Sequence, residues 1–545
     1  MVAVQSNPSN TSTAATGAQL VIESLESHGV DTVFGIPGVH TLALYDALRD
    51  SSIRHVLARH EQGVGFMADG YARATGKPGV AVVITGPGVT NIATAVGEAY
   101  TDSSPLLVIS SNVESPYLDD MRGNLHDLKD QMAVMKAVTK WNARVADANE
   151  VTGVMAEAFD RLQSGRPLPV HVEVPLDVLD QHAQGAPVPH EPHIVVPEPP
   201  DEKVDKAAAM LAGAQRPLIY AGGGAVSSGA APFVRQLAER LKAPVLTSIM
   251  GKGAIPEDHP LSLGALWSAG NVVDDYLKQA DVVVVIGSKL GAQATDMFQM
   301  ILPEQLIRID IDPREMNLNA QPSTPLLGDA ALVSERLVAA LSDSAELSGI
   351  DQTDEVVAVR KSAEASAWFA ERRDYLDALR RAIPRDGILS TDMTMMSYVA
   401  CGIYPVYEPR TFFFPSGFGT LGFALPAAIG AKIGRPEAGV VAVVGDGGFQ
   451  YTMGDLGCAV QERMGLPIVI FNDSTYSAVK HAQKTERGGR YLAVDLVNPD
   501  YVKLADAYGI PGVRANSPAE LEREVTLAFE RDLPTIIDVP IAPWV

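Results

Sequence analysis

One pattern recurs along the chain and constrains the fold more than any other feature. A short apolar run rich in β-branched residues enters a glycine-rich turn, and a helical stretch follows. Residues 80–84 run into Gly86-Pro87-Gly88, 218–220 into Gly222-Gly223-Gly224, 282–286 into Gly287 and 440–444 into Gly445. Apolar runs of this length, alternating with helices, form parallel strands covered on both faces. The fold class is therefore α/β, with doubly wound parallel sheets. Two segments break the pattern: a Pro-, Ala- and His-rich stretch at 181–200 and a polar, acidic one at 342–355. Such segments carry few contacts between domains. They divide the chain into three α/β units, over 17–182, 200–342 and 356–545, after a Ser-, Thr- and Asn-rich stretch at 1–16 read as a disordered tail.

Composition removes several function classes. The net charge of −23 disfavours nucleic acid or an anionic membrane as partner, since both are polyanions. With only Cys401 and Cys458, a disulfide framework or Cys-rich zinc site is excluded, which fits a reducing, cytoplasmic setting. No apolar run approaches the roughly 20 residues of a membrane span, and the first residues lack the basic start and apolar core of a signal peptide.

The most informative segment begins at Val440. The strand over 440–444 ends at Gly445-Asp446-Gly447-Gly448, and a second, over 467–471, ends at Asn472-Asp473. Two adjacent parallel strands joined by a helix bring Asp446 and Asp473 together beyond their carboxyl ends, where doubly wound sheets bind ligands. Two close carboxylates need a cation. Mg²⁺ suits them because it uses few carboxylates and completes its octahedron with phosphate oxygens and water. The glycines admit a diphosphate to the backbone, and the following helix points its N-terminus at it.

The Gly-Asp-Gly and Asn-Asp pair resembles the signature of thiamine-diphosphate-dependent enzymes. The stretch from Arg59-His60-Glu61-Gln62-Gly63 through Thr85-Gly86-Pro87-Gly88 is similar to the acetolactate synthase-like branch. So are Phe34-Gly35-Ile36-Pro37-Gly38, Met250-Gly251-Lys252-Gly253, Gly328-Asp329 and residues 416–430. The resemblance implies a pyrimidine-binding domain, a Rossmann-like central domain and a diphosphate-binding domain, in that order. It implies that Asp446, Asp473 and the Thr475 carbonyl hold Mg²⁺. Gly419 and the wedge residue Leu421 hold the pyrimidine. Gly86, Pro87, Asn91, Thr394, Gly445, Gly447, Gly448, Phe449, Tyr476 and Ser477 complete the cofactor contacts.

It also implies that Glu61 is the catalytic glutamate, which drives removal of the cofactor's C2 proton and so formation of an ylide and then an enamine. Read from the residues alone, Glu61 opens a helix over 61–75 and serves its dipole. As the family glutamate it belongs in an apolar place, where burial favours the protonated carboxyl. In the family Glu61 and Asp446 come from different subunits, so the expected assembly is a homodimer or homotetramer with active sites at the interface.

The substrate side departs from acetolactate synthase. A Gln-His diphosphate contact falls on Met395-Met396, a first-domain lysine on Leu176, a Phe-Gln pair at the mouth of the site on His126-Asp127, and a pocket tryptophan on Ala482. Two histidines replace them in interest. His40 lies after a strand where the loop faces the cofactor, as in benzaldehyde lyase-like relatives, and His126 lies in the loop at the mouth. Either can take and give a proton near neutrality, and either can instead be a structural histidine. Relatives bind FAD at loops like Gly222–Gly224 and Gly287-Ser288. Here the accompanying Arg-rich stretch is replaced by Lys289-Leu290-Gly291-Ala292-Gln293, so the loops are read as tight turns in preference to an FAD site.

The expected function is carboligation of 2-oxo acids or aldehydes. Decarboxylation or hydroxyketone cleavage is the alternative within the class. A non-catalytic thiamine-diphosphate-binding regulatory subunit and a nicotinamide-dependent enzyme are the alternatives outside it.

Overall fold

The computed structural model describes residues 14–184, 194–266, 271–342 and 347–544. Residues 1–13 of the expected tail, 185–193 of the first linker and 343–346 of the second lie outside the described residues. Ala14 to Thr16, also placed in the tail, are tied down: the Thr16 side chain caps the helix Gly17–Ser27, and Thr16 bridges to His182.

The chain builds three six-stranded sheets, and every pairing between neighbouring strands is parallel. The first contains β1 (Thr32–Gly35), β2 (Arg54–Leu57), β3 (Gly79–Val83), β4 (Leu106–Asn112), β5 (Trp141–Arg144) and β6 (Val170–Pro175), in the order β2-β1-β3-β4-β6-β5. The second contains β7 (Pro217–Ala221), β8 (Val245–Thr247), β9 (Ser262–Gly264), β10 (Val282–Ile286), β11 (Gln305–Asp310) and β12 (Thr324–Leu327), in the order β12-β11-β10-β7-β8-β9. The third contains β13 (Ile388–Thr391), β14 (Phe412–Phe413), β15 (Val440–Gly445), β16 (Pro467–Asn472), β17 (Gly512–Arg514) and β18 (Thr535–Pro540), in the order β14-β13-β15-β16-β18-β17.

The first and third sheets share one strand order, a kinship no short-period repeat in the sequence displayed. Each reverses its winding between its first and third strands, and the crevice beyond that reversal is where such sheets take ligands. The central sheet has the order of dinucleotide-binding folds, with its reversal between β7 and β10.

The strands are apolar because both faces are covered. Val440 to Val444 are at most 1% exposed, and each such side chain contributes about 1.5–3 kcal/mol of burial. The helix Glu61–Thr75 shows the same logic. The His60 ring accepts the Gln62 N–H at 3.1 Å to start it, left-handed Gly76 (φ 77°) ends it, and every residue from Gly63 to Ala74 is buried. Its own sheet covers one side and the helix Ala424–Gly434 of the third domain covers the other. The two helices cross almost without side chains between them. A Cβ on Gly70 would lie 2.0 Å from the Ala427 carbonyl oxygen, and one on Gly430 1.8 Å from that of Met67. Beside the crossing, Arg73 is buried against Asp69 (2.8 Å) and Asp102 (3.0 Å) and donates to the Phe414 carbonyl, which locks the first domain onto the third.

Candidate active site

The third domain's crevice lies between the ends of β13 and β15. A Cβ on Gly445 would meet Thr394 at 3.4 Å and one on Gly448 the Asp392 carboxylate at 3.0 Å, so the two turns face each other closely. Thr394 caps the helix Met395–Ile403, while Met395 and Met396 point into the core. The start of this helix therefore offers no polar side chain from Met395 or Met396.

β15 and β16 run side by side with Gly445 opposite Phe471, so Asp446 and Asp473 emerge as neighbours. Burial, then the neighbouring Asp473 charge, pushes the Asp446 carboxyl up to about 6, opposed by the Asn498 amide. Asp473 is shifted upward as well, chiefly by burial, while a Ser477 hydroxyl bond opposes the shift. The backbone turns through left-handed Ser474 (φ 56°), so the Thr475 N–H returns to Asp473 at 3.2 Å and the Thr475 hydroxyl donates to the Val494 carbonyl at 2.7 Å. Two neighbouring acids, Asp446 buried and Asp473 partly buried, are a donor set for a hard divalent cation. The turn beside them accepts no larger residue: a Cβ on Gly447 would enter the Tyr476 ring at 2.5 Å. Phe449 is fully buried, stacked edge-on against Tyr501. These residues fit a metal-bound diphosphate.

Two members of this site escaped the sequence reading. Asn498 donates to both Asp446 and Asn472 and so holds the two strand ends in register. It sits far downstream in a loop without a motif, so no spacing rule reaches it. Asp392 is fully buried and pushed up to about 6 by burial, against backbone N–H bonds from Met393, Gly422 and others. It anchors the turn that holds left-handed Gly419 (φ 70°) and Leu421, both half-buried. Its signal was the polar residue just after a buried strand.

The first domain forms the other half-site. Glu61 is half-buried and accepts the Asn91 amide at 2.9 Å. The expected apolar enclosure is incomplete within one chain. Gly86 (φ 66°) lets its turn close on the loop after β4: a Cβ there would lie 2.3 Å from the His126 carbonyl oxygen. Pro87 begins the helix Pro87–Asp102 that carries Asn91. The structure brings His40 and His126 together, their rings edge to face with centroids 5.2 Å apart. The His40 Nδ1 meets the Thr85 hydroxyl at 3.0 Å, and Thr85 meets Ser111 at 3.0 Å. Burial, then the His126 charge, lowers the His40 pKa and favours its neutral ring.

Among the described residues, the side-chain hydrogen bonds and ring contacts of Glu61 and the histidines come from the first domain, and the side-chain hydrogen bonds of Asp446 and Asp473 from the third. In the central domain, Gly222 and Gly224 donate their N–H groups to the Ile286 and Gly287 carbonyls at 2.9 Å. A Cβ on Gly224 would lie 2.7 Å from the Gly287 Cα. These two glycines serve turn-on-turn packing.

Comparison with known proteins agrees with this geometry. Residues 15–134 match the model of the thiamine pyrophosphate enzyme N-terminal TPP binding domain, 204–337 its central domain and 392–539 its C-terminal TPP binding domain. The chain belongs to the thiamine pyrophosphate enzyme family. It is 40% identical over 545 residues to a probable 2-ketoarginine decarboxylase of Pseudomonas aeruginosa, covering 96% of this chain and 94% of the relative. It is 34% identical over 546 residues to a probable acetolactate synthase large subunit of Methanocaldococcus jannaschii, covering 97% and 92%. It is also 34% identical over 532 residues to the acetolactate synthase isozyme 2 large subunit of Escherichia coli, covering 96% and 95%. As a member of this acetolactate synthase-like family the chain is an enzyme. Among the described residues no helix is long and apolar enough to cross a membrane.

Proposed function

We propose that this thiamine-diphosphate enzyme is Mg²⁺-dependent, decarboxylates a 2-oxo acid and ends its cycle by protonating the reacting carbon to release an aldehyde. The observation that carries this reading is the His40–His126 pair. After CO₂ leaves, the reacting carbon takes either a proton or a second carbonyl compound, and a proton carrier beside it decides the outcome. The two rings stand edge to face, and burial pushes His40 toward its neutral form, so the pair is placed to take up a proton and give it to the reacting carbon.

Asp446, Asp473 and the Thr475 carbonyl would hold the metal, and Gly445, Gly447, Gly448, Tyr476 and Ser477 would surround the diphosphate. Gly419 and Leu421 would orient the pyrimidine, and Glu61, held by Asn91, would supply the carboxyl that serves it. Once bound, the cofactor supplies the nucleophilic carbon and the electron sink that carbon–carbon cleavage beside a carbonyl needs.

The active centre is completed by a second copy of the chain. Exposed apolar side chains flank both half-sites: Val39 (57%) and Leu125 (62%) beside the histidines, and Phe418 (53%), Tyr451 (56%) and Val497 (99%) beside the cofactor turns. Apolar surface of this kind around an incomplete site marks an interface, and a homodimer or homotetramer supplies the cover for Glu61.

Carboligation, as the acetolactate synthase relatives' names describe, is the second reading, favoured by the 34% identity over whole chains. Turnover of a panel containing 2-ketoarginine, pyruvate and branched 2-oxo acids, with products read by mass, separates the two. Aldehyde plus CO₂ supports the first reading; a hydroxyketo acid as the sole product sinks it.

A further inference from the structure

The loop after β4 that carries His126 has an unusual backbone. Asp119 (φ 62°), Met121 (φ 50°) and His126 (φ 67°) all occupy the left-handed region, with Gly123 (φ 87°) between them. Non-glycine residues hold that conformation only where their surroundings enforce it. Asp127 ties the middle of the loop by accepting the Gly123 and Asn124 N–H groups at 2.9 and 2.7 Å. One arginine ties the start of the loop to the sheet.

Arg144 ends the edge strand β5, in register with Glu173 on β6. Its two terminal nitrogens grip the Asp119 carboxylate at 2.8 and 3.1 Å, and its Nε donates to Glu173. Glu173 is fully buried, and its second oxygen accepts the Gln131 amide at 2.8 Å. Gln131 is also fully buried. Its Nε2 donates to the Ser111 carbonyl at 2.9 Å, and its Oε1 accepts the Gly86 N–H at 2.8 Å. Gly86 is the residue packed against the His126 carbonyl, and its neighbour Thr85 holds His40. Hydrogen bonds and one close packing contact therefore close a ring. It runs from the His126 loop through Asp119, Arg144, Glu173 and Gln131 to the Gly86 turn and back to His126.

We propose that Arg144 is a positioning residue for the histidine pair: by bridging Asp119 and Glu173 it fixes the His126 loop against the turn that carries Thr85 and Gly86. It touches neither ring. Its planar fork grips Asp119 through two nitrogens and Glu173 through a third, a fixed geometry that a lysine ammonium does not reproduce. The inference rests on the reading of His40 and His126 as proton carriers for its effect on turnover, but not for its effect on the loop.

The test uses the full-length chain with Arg144→Met, Arg144→Lys, Asp119→Asn, His126→Ala and the Arg144→Met/His126→Ala double variant. In the cofactor-free protein, amide exchange over residues 117–128 should rise at least about tenfold in Arg144→Met. It should rise less in Asp119→Asn and Arg144→Lys, with the rest of the chain unchanged. In the loaded enzyme, kcat should fall about tenfold to a hundredfold in Arg144→Met, while thiamine diphosphate affinity, read by tryptophan fluorescence, stays within about twofold. Adding His126→Ala to Arg144→Met should cost little further, because the two act on one element.

Unchanged loop exchange in both Arg144→Met and Asp119→Asn overturns the proposal, as do fully additive losses in the double variant. If Arg144→Met does not fold, Asp119→Asn, whose side chain is 47% exposed, decides alone. If His126→Ala leaves kcat unchanged, the proton-carrier reading fails, and the exchange data still decide whether Arg144 fixes the loop.

Discussion

Adding a single methyl group at the helix crossing should separate the two cofactor-binding domains of one chain. In Gly430→Ala the new Cβ lies 1.8 Å from the Met67 carbonyl oxygen, and in Gly70→Ala 2.0 Å from that of Ala427. Heavy atoms pack best near about 3.5 Å, so the helices would have to part by more than ~1 Å. The obstacle in both cases is backbone, which cannot rotate away. Overpacking of this kind costs about 1–3 kcal/mol. The ordinary gain from replacing a helix glycine by alanine, about 0.5–1 kcal/mol, does not offset it. Gly153, in the helix Val151–Gln163 with nothing within 4 Å of its would-be Cβ, is the internal control: Gly153→Ala should stabilise by that amount. Urea unfolding followed by far-UV circular dichroism reads all three. Midpoints that fall for Gly70→Ala and Gly430→Ala and rise slightly for Gly153→Ala are expected. An unchanged or higher midpoint for Gly430→Ala would refute the backbone-contact argument.

Three further outcomes follow from the electrostatics and the donor set. Glu98, pushed up to about 8 by burial and then by Asp102, contributes stability that is complete below its unfolded pKa near 4.5 and lost as pH rises through 8. The urea midpoint of Glu98→Gln should therefore decline less between pH 5 and pH 9 than that of the parent chain, and equal slopes would contradict the assignment. The His126 charge is the second cause lowering the His40 pKa, after burial, so His126→Ala should raise that pKa and move the alkaline limb of kcat, where the proton donor is lost, to higher pH, measured across pH 5 to 8; a shift to lower pH reverses the sign argued here. Asp446→Ala should abolish Mg²⁺-dependent binding of thiamine diphosphate, read by fluorescence titration with and without a chelator, while the far-UV spectrum is kept.

The sheets were legible because burial on both faces forces strands into apolar runs. The run over 282–286 is β10 to the residue, and the helix beginning at Glu61 ends at Thr75 as its pattern implied. The cofactor constellation was legible for a related reason. Asp446 and Asp473 each follow directly on a strand, so local order fixes their place in space. Asn498, Gln131, Glu173 and Arg144 were not legible. Their roles arise from tertiary contacts across 20 to 52 positions, and isolated polar residues carry no period. Asp69 and Arg73 sit one turn apart and resemble a surface helix pair, yet the helix they occupy is covered on both sides and buries them.

The central claim is that Glu61 of one chain works with the Asp446–Asp473 pair of another. It is tested by mixing two variants, Glu61→Gln and Asp446→Ala, each inactive alone. After subunit exchange at equal amounts, half of the dimers pair unlike chains, and each such dimer holds one site with both groups intact. The account predicts recovery of about a quarter of the parent activity. No recovery, with exchange verified by native mass spectrometry, would contradict it.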